Sequence, residues 1–150
     1  MILGMAASDQ IPSVESPLVT EMTRRLVEVY PRETVLHSTH LVARVLYDAL
    51  ARAAGTKDIY RLLRASPEAR TVSAALAVAA LSALCAQVRG DPSCGHLHAQ
   101  VASAEPAAVL DDAVRGLSTY HRRPIVERRG ADLFVADVKL LHYYRNRTDH

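Results

Sequence analysis

Apolar residues recur along most of this chain at three- and four-residue steps, and the step shortens only near the C-terminus. Leu18, Met22, Leu26 and Val29 form the first series, the spacing of a stripe on one side of a helix. Ser16-Pro17 supplies its start, a capping hydroxyl followed by proline at the first helical position. Tyr30-Pro31 supplies its end, because proline pushes the residue before it out of the helical region. A second helix, capped by Ser38 or Thr39, carries a wide apolar face of Leu41, Val42, Val45, Leu46, Ala49 and Leu50. Gly55 stands where a left-handed residue stops such a helix. The stretch "TKDIYRLLR" reads as a short helix with Ile59, Leu62 and Leu63 inward.

Ser66-Pro67-Glu68 repeats the cap-then-proline start and leads into an alanine-rich helix with Val72, Leu76, Leu81, Leu84 and Val88 inward. Being apolar nearly all round, that helix is predicted to be buried on more than one side. The loop from Gly90 to Gly95 closes it. A further helix is expected over His96 to Ser103, and "EPAAVLDDAVRGL" reads as another, with Val109, Leu110, Ala113, Val114 and Leu117 apolar.

Then the period changes. Ile125-Val126 and Leu133 to Val135 are two short apolar runs separated by charged residues and Gly130, a β-hairpin signal at about 124–137. From Val138 the chain returns to helix with Leu140, Leu141 and Tyr144 on one side. The expected fold is therefore mainly α, a single helical domain over 16–150 with a C-terminal β-hairpin. Helix, short helix, helix, hairpin is a winged-helix-like order. Residues 1–15 show no clean period and are expected to fray.

Composition agrees with that reading and narrows the chemistry. Alanine, leucine and valine dominate, aromatics are 5 % and tryptophan is absent, a helix-favouring mixture. The net charge of +2 lacks the concentrated basic field of a nucleic-acid protein, so nucleic acid is an unlikely partner. The longest weakly polar run, Ala74 to Ala86, has 13 residues against the ~20 of a spanning helix. The start "MILGMAASDQIPS" has no basic segment and too short an apolar one for a secretory signal. A cytoplasmic protein, in places peripheral on a membrane, is the expectation.

Chemistry-bearing motifs are sparse. Cys94, His96 and His98 cluster in "SCGHLH", but Cys85 lies nine residues before Cys94 and no Cys-x-x-Cys exists. The spacing fits a polar loop better than a metal site, and neither metal nor cofactor is expected. Phosphate loops, nucleophile elbows and paired-histidine zinc motifs are missing from the sequence. His37 and His40 stand three apart at a helix start with no carboxylate in fixed spacing, which suits capping better than catalysis. Asp111-Asp112 reads as a favourable partner of a helix dipole.

Two blocks carry a resemblance. "VYPRETVLHSTHLVARVLYDAL", Val29 to Leu50, contains Thr39-His40-Leu41-Val42-Ala43 at its helix start, and "LLHYYRNRTDH" closes the chain. Together they resemble the region after the catalytic domain in the glycerol-3-phosphate and dihydroxyacetone-phosphate acyltransferase family, whose closing stretch reads Leu-x-Tyr-Tyr-Arg-Asn. The likeness covers roughly Leu18 to His150. It implies a part of phospholipid synthesis, with acyl-CoA or acyl carrier protein as donor and glycerol 3-phosphate as acceptor.

The family's catalytic pair, a histidine with an aspartate five positions later, is missing. The fifth residue after successive histidines is Val42, Val45, Val101, Ser103, Val126 and Arg147. Gly55-Thr56-Lys57 is only a partial echo of the family's phosphate block. The resemblance therefore implies an accessory module, inactive alone, that braces a catalytic domain. Its partners are expected to be that domain, a second copy of the chain or a membrane surface.

Two groups of residues are candidates for contact. Leu141, Tyr143 and Tyr144 are expected to pack partly on this domain and partly on a partner. Arg145, Asn146 and Arg147 suit phosphate oxygens, or are solvated charges favoured at a helix end. Arg122, Arg123, Arg128 and Arg129 bracket the hairpin and are the candidates for membrane or phosphate contact. A winged-helix module binding nucleic acid or protein is the alternative, with the alanine-rich helix in the recognition position.

Overall fold

A computed structural model describes residues 16–148 of the chain. The expectation that 1–15 fray lies outside those residues. The mainly helical domain with a C-terminal hairpin is what forms: seven α-helices surround one core, with five short strands among the described residues.

The core is organised by the helix with the widest apolar face. That helix, α2, runs Ser38–Ala54 and buries Leu41, Val42, Ala43, Val45, Leu46, Tyr47, Leu50 and Ala51. Gly55 ends it at φ +65, the left-handed stop read from the sequence. Its start differs from expectation. His37 is the cap: its carbonyl accepts from the His40 amide, and the His40 ring accepts from the His37 amide at 3.3 Å. Ser38 and Thr39 become the first helical residues, and the His40 imidazole takes the His37 amide.

Three helices pack on α2: α4 (Ala74–Gly90), α6 (Pro106–Thr119) and α7 (Val138–Arg145). The apolar face foreseen for α6 is its buried face, from Val109 to Leu117. In α7, Val138, Leu141 and Arg145 are buried, with Leu140 and Tyr144 partly buried against the core.

The alanine-rich segment departs most from the sequence reading. Ser66-Pro67 opens only a 3₁₀ turn, Glu68–Arg70, and Thr71–Ser73 then forms a strand, β2, before α4 begins. The hairpin captures this segment: β2 pairs antiparallel with β5 (Asp132–Val135), which pairs in turn with β4 (Val126–Arg129). Val72 is therefore a buried strand residue. Only Ala77, Leu81, Cys85 and Val88 of α4 are buried, while Leu76 is 69 % exposed. Small side chains made α4 look apolar all round, but one side suffices for packing. α6, not α4, directly precedes the hairpin.

Other departures are smaller. Of the short helix α3, Ile59–Leu63, only Leu62 is buried, and Leu63 turns outward. The helix expected over His96 to Ser103 splits into a two-residue strand, β3 (His96–Leu97), and α5 (Ala99–Ser103). β3 pairs in parallel with β1, Val35–Leu36. Gly95 permits this pairing, since at its φ of +94 a Cβ would lie 2.6 Å from the Thr34 carbonyl oxygen.

The first helix, α1, runs Pro17–Glu33, through Pro31 rather than stopping before it. Proline so near the end removes a single backbone bond, and the Thr34 hydroxyl satisfies the Tyr30 carbonyl at 2.7 Å. No α1 residue is buried. Leu18, Met22, Leu26 and Val29 are all exposed, so the stripe read from the sequence exists but faces away from the core. No described helix is long and apolar enough to cross a membrane.

Candidate functional site

The helical period of α7 sorts the closing residues. Val138, Leu141 and Arg145 fall at three- and four-residue steps on the face toward α2, so Arg145 points inward. Its guanidinium carbon lies 4.9 Å from the centre of the Tyr47 ring, and its Nε is 4.0 Å from the Asp48 carboxylate. The residue is 9 % exposed. Arg145 is thus a buried structural residue, neither a solvated helix-end charge nor a free phosphate ligand. Tyr47 completes this layer, its hydroxyl donating to the Lys57 carbonyl at 3.0 Å.

The opposite face of α7 carries Lys139, Tyr143 and Asn146, with Arg147 following, all exposed. Tyr143 is 60 % exposed. Arg147 donates to the Tyr30 hydroxyl at 3.0 Å. Tyr144 sits between the two faces, its hydroxyl 2.9 Å from Nε2 of His121. Burial pushes its phenol pKa up, with Tyr143 and Tyr120 adding to the effect.

The hairpin arginines divide in the same way. Arg128 is ion-paired with Asp111. Arg129 bonds Glu127 at 2.8 Å and lies 3.7 Å over the ring of Phe134. Both are occupied within the domain. Arg122 and Arg123, in the bend before β4, are exposed and pair with no described carboxylate. Asp111 and Asp112 are not helix-start residues: they fall in the second turn of α6, beyond the reach of a terminal dipole effect. They serve instead as partners, Asp111 of Arg128 and Asp112 of the Ser38 hydroxyl at 2.7 Å.

A chain of rings runs from the start of α2 to α7. His98 stacks on His37 with centroids 4.6 Å apart, His37 meets His40 edge-on at 5.5 Å, and His40 lies 6.3 Å from Tyr144. Tyr144 then contacts His121 and Tyr143. His37, His98 and the exposed Tyr120 share a cleft of about 460 Å³ with Ser38, Gln100 and Asp112.

Backbone amides set the neutral tautomer of two histidines. Nδ1 of His40 accepts from the His37 amide, and Nδ1 of His98 from the Gln100 amide, each at 3.3 Å. A ring nitrogen that accepts carries no proton, so the neutral ring holds it on Nε2. Burial, then the neighbouring charges of His37 and Arg147, lower the His40 pKa to about 4.

A second cleft, about 550 Å³, is lined by Arg44, Asp48, Arg52, Gly55, Thr56 and Lys57. It contains the Gly-Thr-Lys echo, but at the C-terminal end of α2, where the negative end of the helix dipole disfavours phosphate. Asp48 there is already taken by Arg44 at 2.7 Å.

Of the residues singled out in the sequence, the structure brings Tyr143 against Tyr144, leaves Asn146, Arg147, Arg122 and Arg123 exposed, and ties Arg145, Arg128 and Arg129 into the domain. His98 and Tyr120, which share a cleft, and Tyr30, which accepts from Arg147, carried no expectation. The four-residue step from Lys139 to Tyr143 was a usable signal; the stacking of His98 on His37 depends on the β1–β3 pairing and had none.

A scan of protein-family models finds no match to the chain, and searches of curated proteins and of solved structures find none either.

Proposed function

We propose that this chain is an accessory helical module of a glycerol-3-phosphate acyltransferase of phospholipid synthesis, holding no acyl-transfer site itself and bracing a catalytic domain. The observation that supports this most is the packing of the two blocks behind the resemblance. The block from Val29 to Leu50 supplies α2, and the closing block supplies most of α7. Nearly a hundred residues apart, they build one layer: Arg145 over Tyr47, His142 against Tyr47 at 5.0 Å, and Arg147 bonded to Tyr30. The two blocks that carry the resemblance thus also pack together.

The reading expects no acyl transfer to glycerol 3-phosphate by the purified chain, from either acyl-CoA or acyl carrier protein. It also expects the chain to co-purify with an acyltransferase catalytic domain when the two are expressed together. Turnover by the chain alone would refute it. A peripheral membrane contact would rest on Arg122 and Arg123, at ~1 kcal/mol for each basic residue near an anionic leaflet.

The winged-helix alternative draws support from the sheet order β2-β5-β4 and from α6 standing before the hairpin. With Asp111 and Asp112 on α6 and both hairpin arginines occupied, that reading favours a protein partner over nucleic acid. Steep salt dependence of binding to duplex DNA would restore the nucleic-acid version.

A further inference from the structure

We infer that α1 pairs with the α1 of a second copy of this chain, antiparallel, in a two-fold homodimer. This goes beyond the accessory-module reading and does not rest on it. Among the described α-helices, α1 alone buries no residue. A helix of this length is marginal in water by itself, because burial of an apolar side supplies most helix stability. Leu18, Met22, Leu26, Val29 and Tyr30 are each more than half exposed, and Val19 beside them is partly covered. At about 100° per residue, these six share an arc of about 120°. The charged Glu21, Arg24, Arg25, Glu28 and Arg32 lie outside that arc, and Glu33 ends the helix beyond the apolar set.

The symmetry of the pattern names the occupant. Counted from Arg24, the apolar residues stand two, five and six positions away on either side: Met22 with Leu26, Val19 with Val29, and Leu18 with Tyr30. A two-fold interface sets one patch against its own copy, so that residue i meets j and j meets i. Antiparallel pairing about Arg24 therefore brings each of these residues level with an apolar residue of the other copy. Val19, Met22, Leu26 and Val29, at steps of three, four and three, also make the seam of a coiled coil. Arg24 points away from that seam.

Charge and area agree. On one flank of the seam each copy carries Arg25 bonded to Glu21 at 2.7 Å, so the dimer gathers two cations and two carboxylates there. The acids of α1, Glu21, Glu28 and Glu33, balance its arginines, Arg24, Arg25 and Arg32. A helix lying on an anionic membrane carries an excess of lysine and arginine instead. Six apolar side chains from each copy withdraw on the order of 1,000 Å² from water, the lower bound for a specific interface.

Sedimentation equilibrium of the full chain is the test. A reversible dimer is expected, weakened at least about tenfold by Met22→Glu or Leu26→Glu. Leu76→Glu on α4, at a leucine at least as exposed as Leu26, should change it by less than about twofold. Arg25→Glu should weaken the dimer too, and Glu21→Arg/Arg25→Glu, which swaps the pair, should restore it. Circular dichroism of each variant separates lost pairing from lost folding. A monomer at every concentration up to about 100 μM, or a dimer that survives both stripe substitutions or weakens equally with Leu76→Glu, would overturn the inference. So would binding to phosphatidylglycerol vesicles by a chain that stays monomeric without them, which would assign the stripe to a membrane surface.

Discussion

Two sets of arginines lie within a few residues of each other and lead opposite lives. On the hairpin, Arg128 and Arg129 are consumed by Asp111, Glu127 and the ring of Phe134. In the bend just before it, Arg122 and Arg123 project with no described carboxylate against them. The closing cluster repeats the contrast across two positions, with Arg145 buried over Tyr47 and Arg147 exposed beside Tyr30. A run of basic residues in a sequence therefore says little about a binding surface. What decides is which face of its element each residue occupies, and whether the fold has already supplied a counter-charge.

The contrast is sharpest in stability. Arg145→Ala removes a buried side chain from the layer between α2 and α7 but leaves Asp48 paired with Arg44. The expected cost is about 2–3 kcal/mol, below that of a fully orphaned charge. Arg147→Ala should cost less than about 0.5 kcal/mol. Urea denaturation of both variants checks this, and equal losses would erase the distinction.

His40 comes next. Its folded pKa of about 4 lies below the ordinary 6.5, so between those values the unfolded chain takes up a proton that the folded one refuses. Stability should fall as pH drops through that window, by about 1–2 kcal/mol once its partial exposure is allowed for. His40→Gln should flatten that part of the pH profile. An unchanged slope would mean that another group is responsible.

Asp111→Asn tests the hairpin side directly. Releasing Arg128 from a surface pair should cost less than about 1 kcal/mol in urea denaturation. A larger loss would mean that the pair holds the hairpin against α6. Smallest of all is Leu26→Gln on α1. With the whole stripe exposed on the single chain, it should change monomer stability by less than about 0.5 kcal/mol; a larger loss would mean that α1 packs on its own domain in solution.

Helices with one clean apolar face were legible in the sequence. The faces of α2 and α6, the Gly55 stop and the hairpin pair all follow from local period and turn chemistry. What was not legible depended on partners distant in the chain. β2 exists because β5 arrives some sixty residues later to pair with it, turning a helix start into a strand. His37 caps α2 because His40 reciprocates, where a hydroxyl is the usual choice. Tyr143 and Tyr144 were foreseen as contact residues, but the ring chain joining them to His98 needed β1 and β3 to meet, which no spacing announces.

The most direct test sets the two arginine pairs against each other in urea denaturation of the full chain. Arg128→Gln/Arg129→Gln, which loses the pairs with Asp111 and Glu127 and the contact with Phe134, should cost about 1 kcal/mol, while Arg122→Gln/Arg123→Gln should cost less than about 0.5 kcal/mol. The reverse order would contradict the claim that the fold uses the hairpin arginines and leaves the pair in the bend unused.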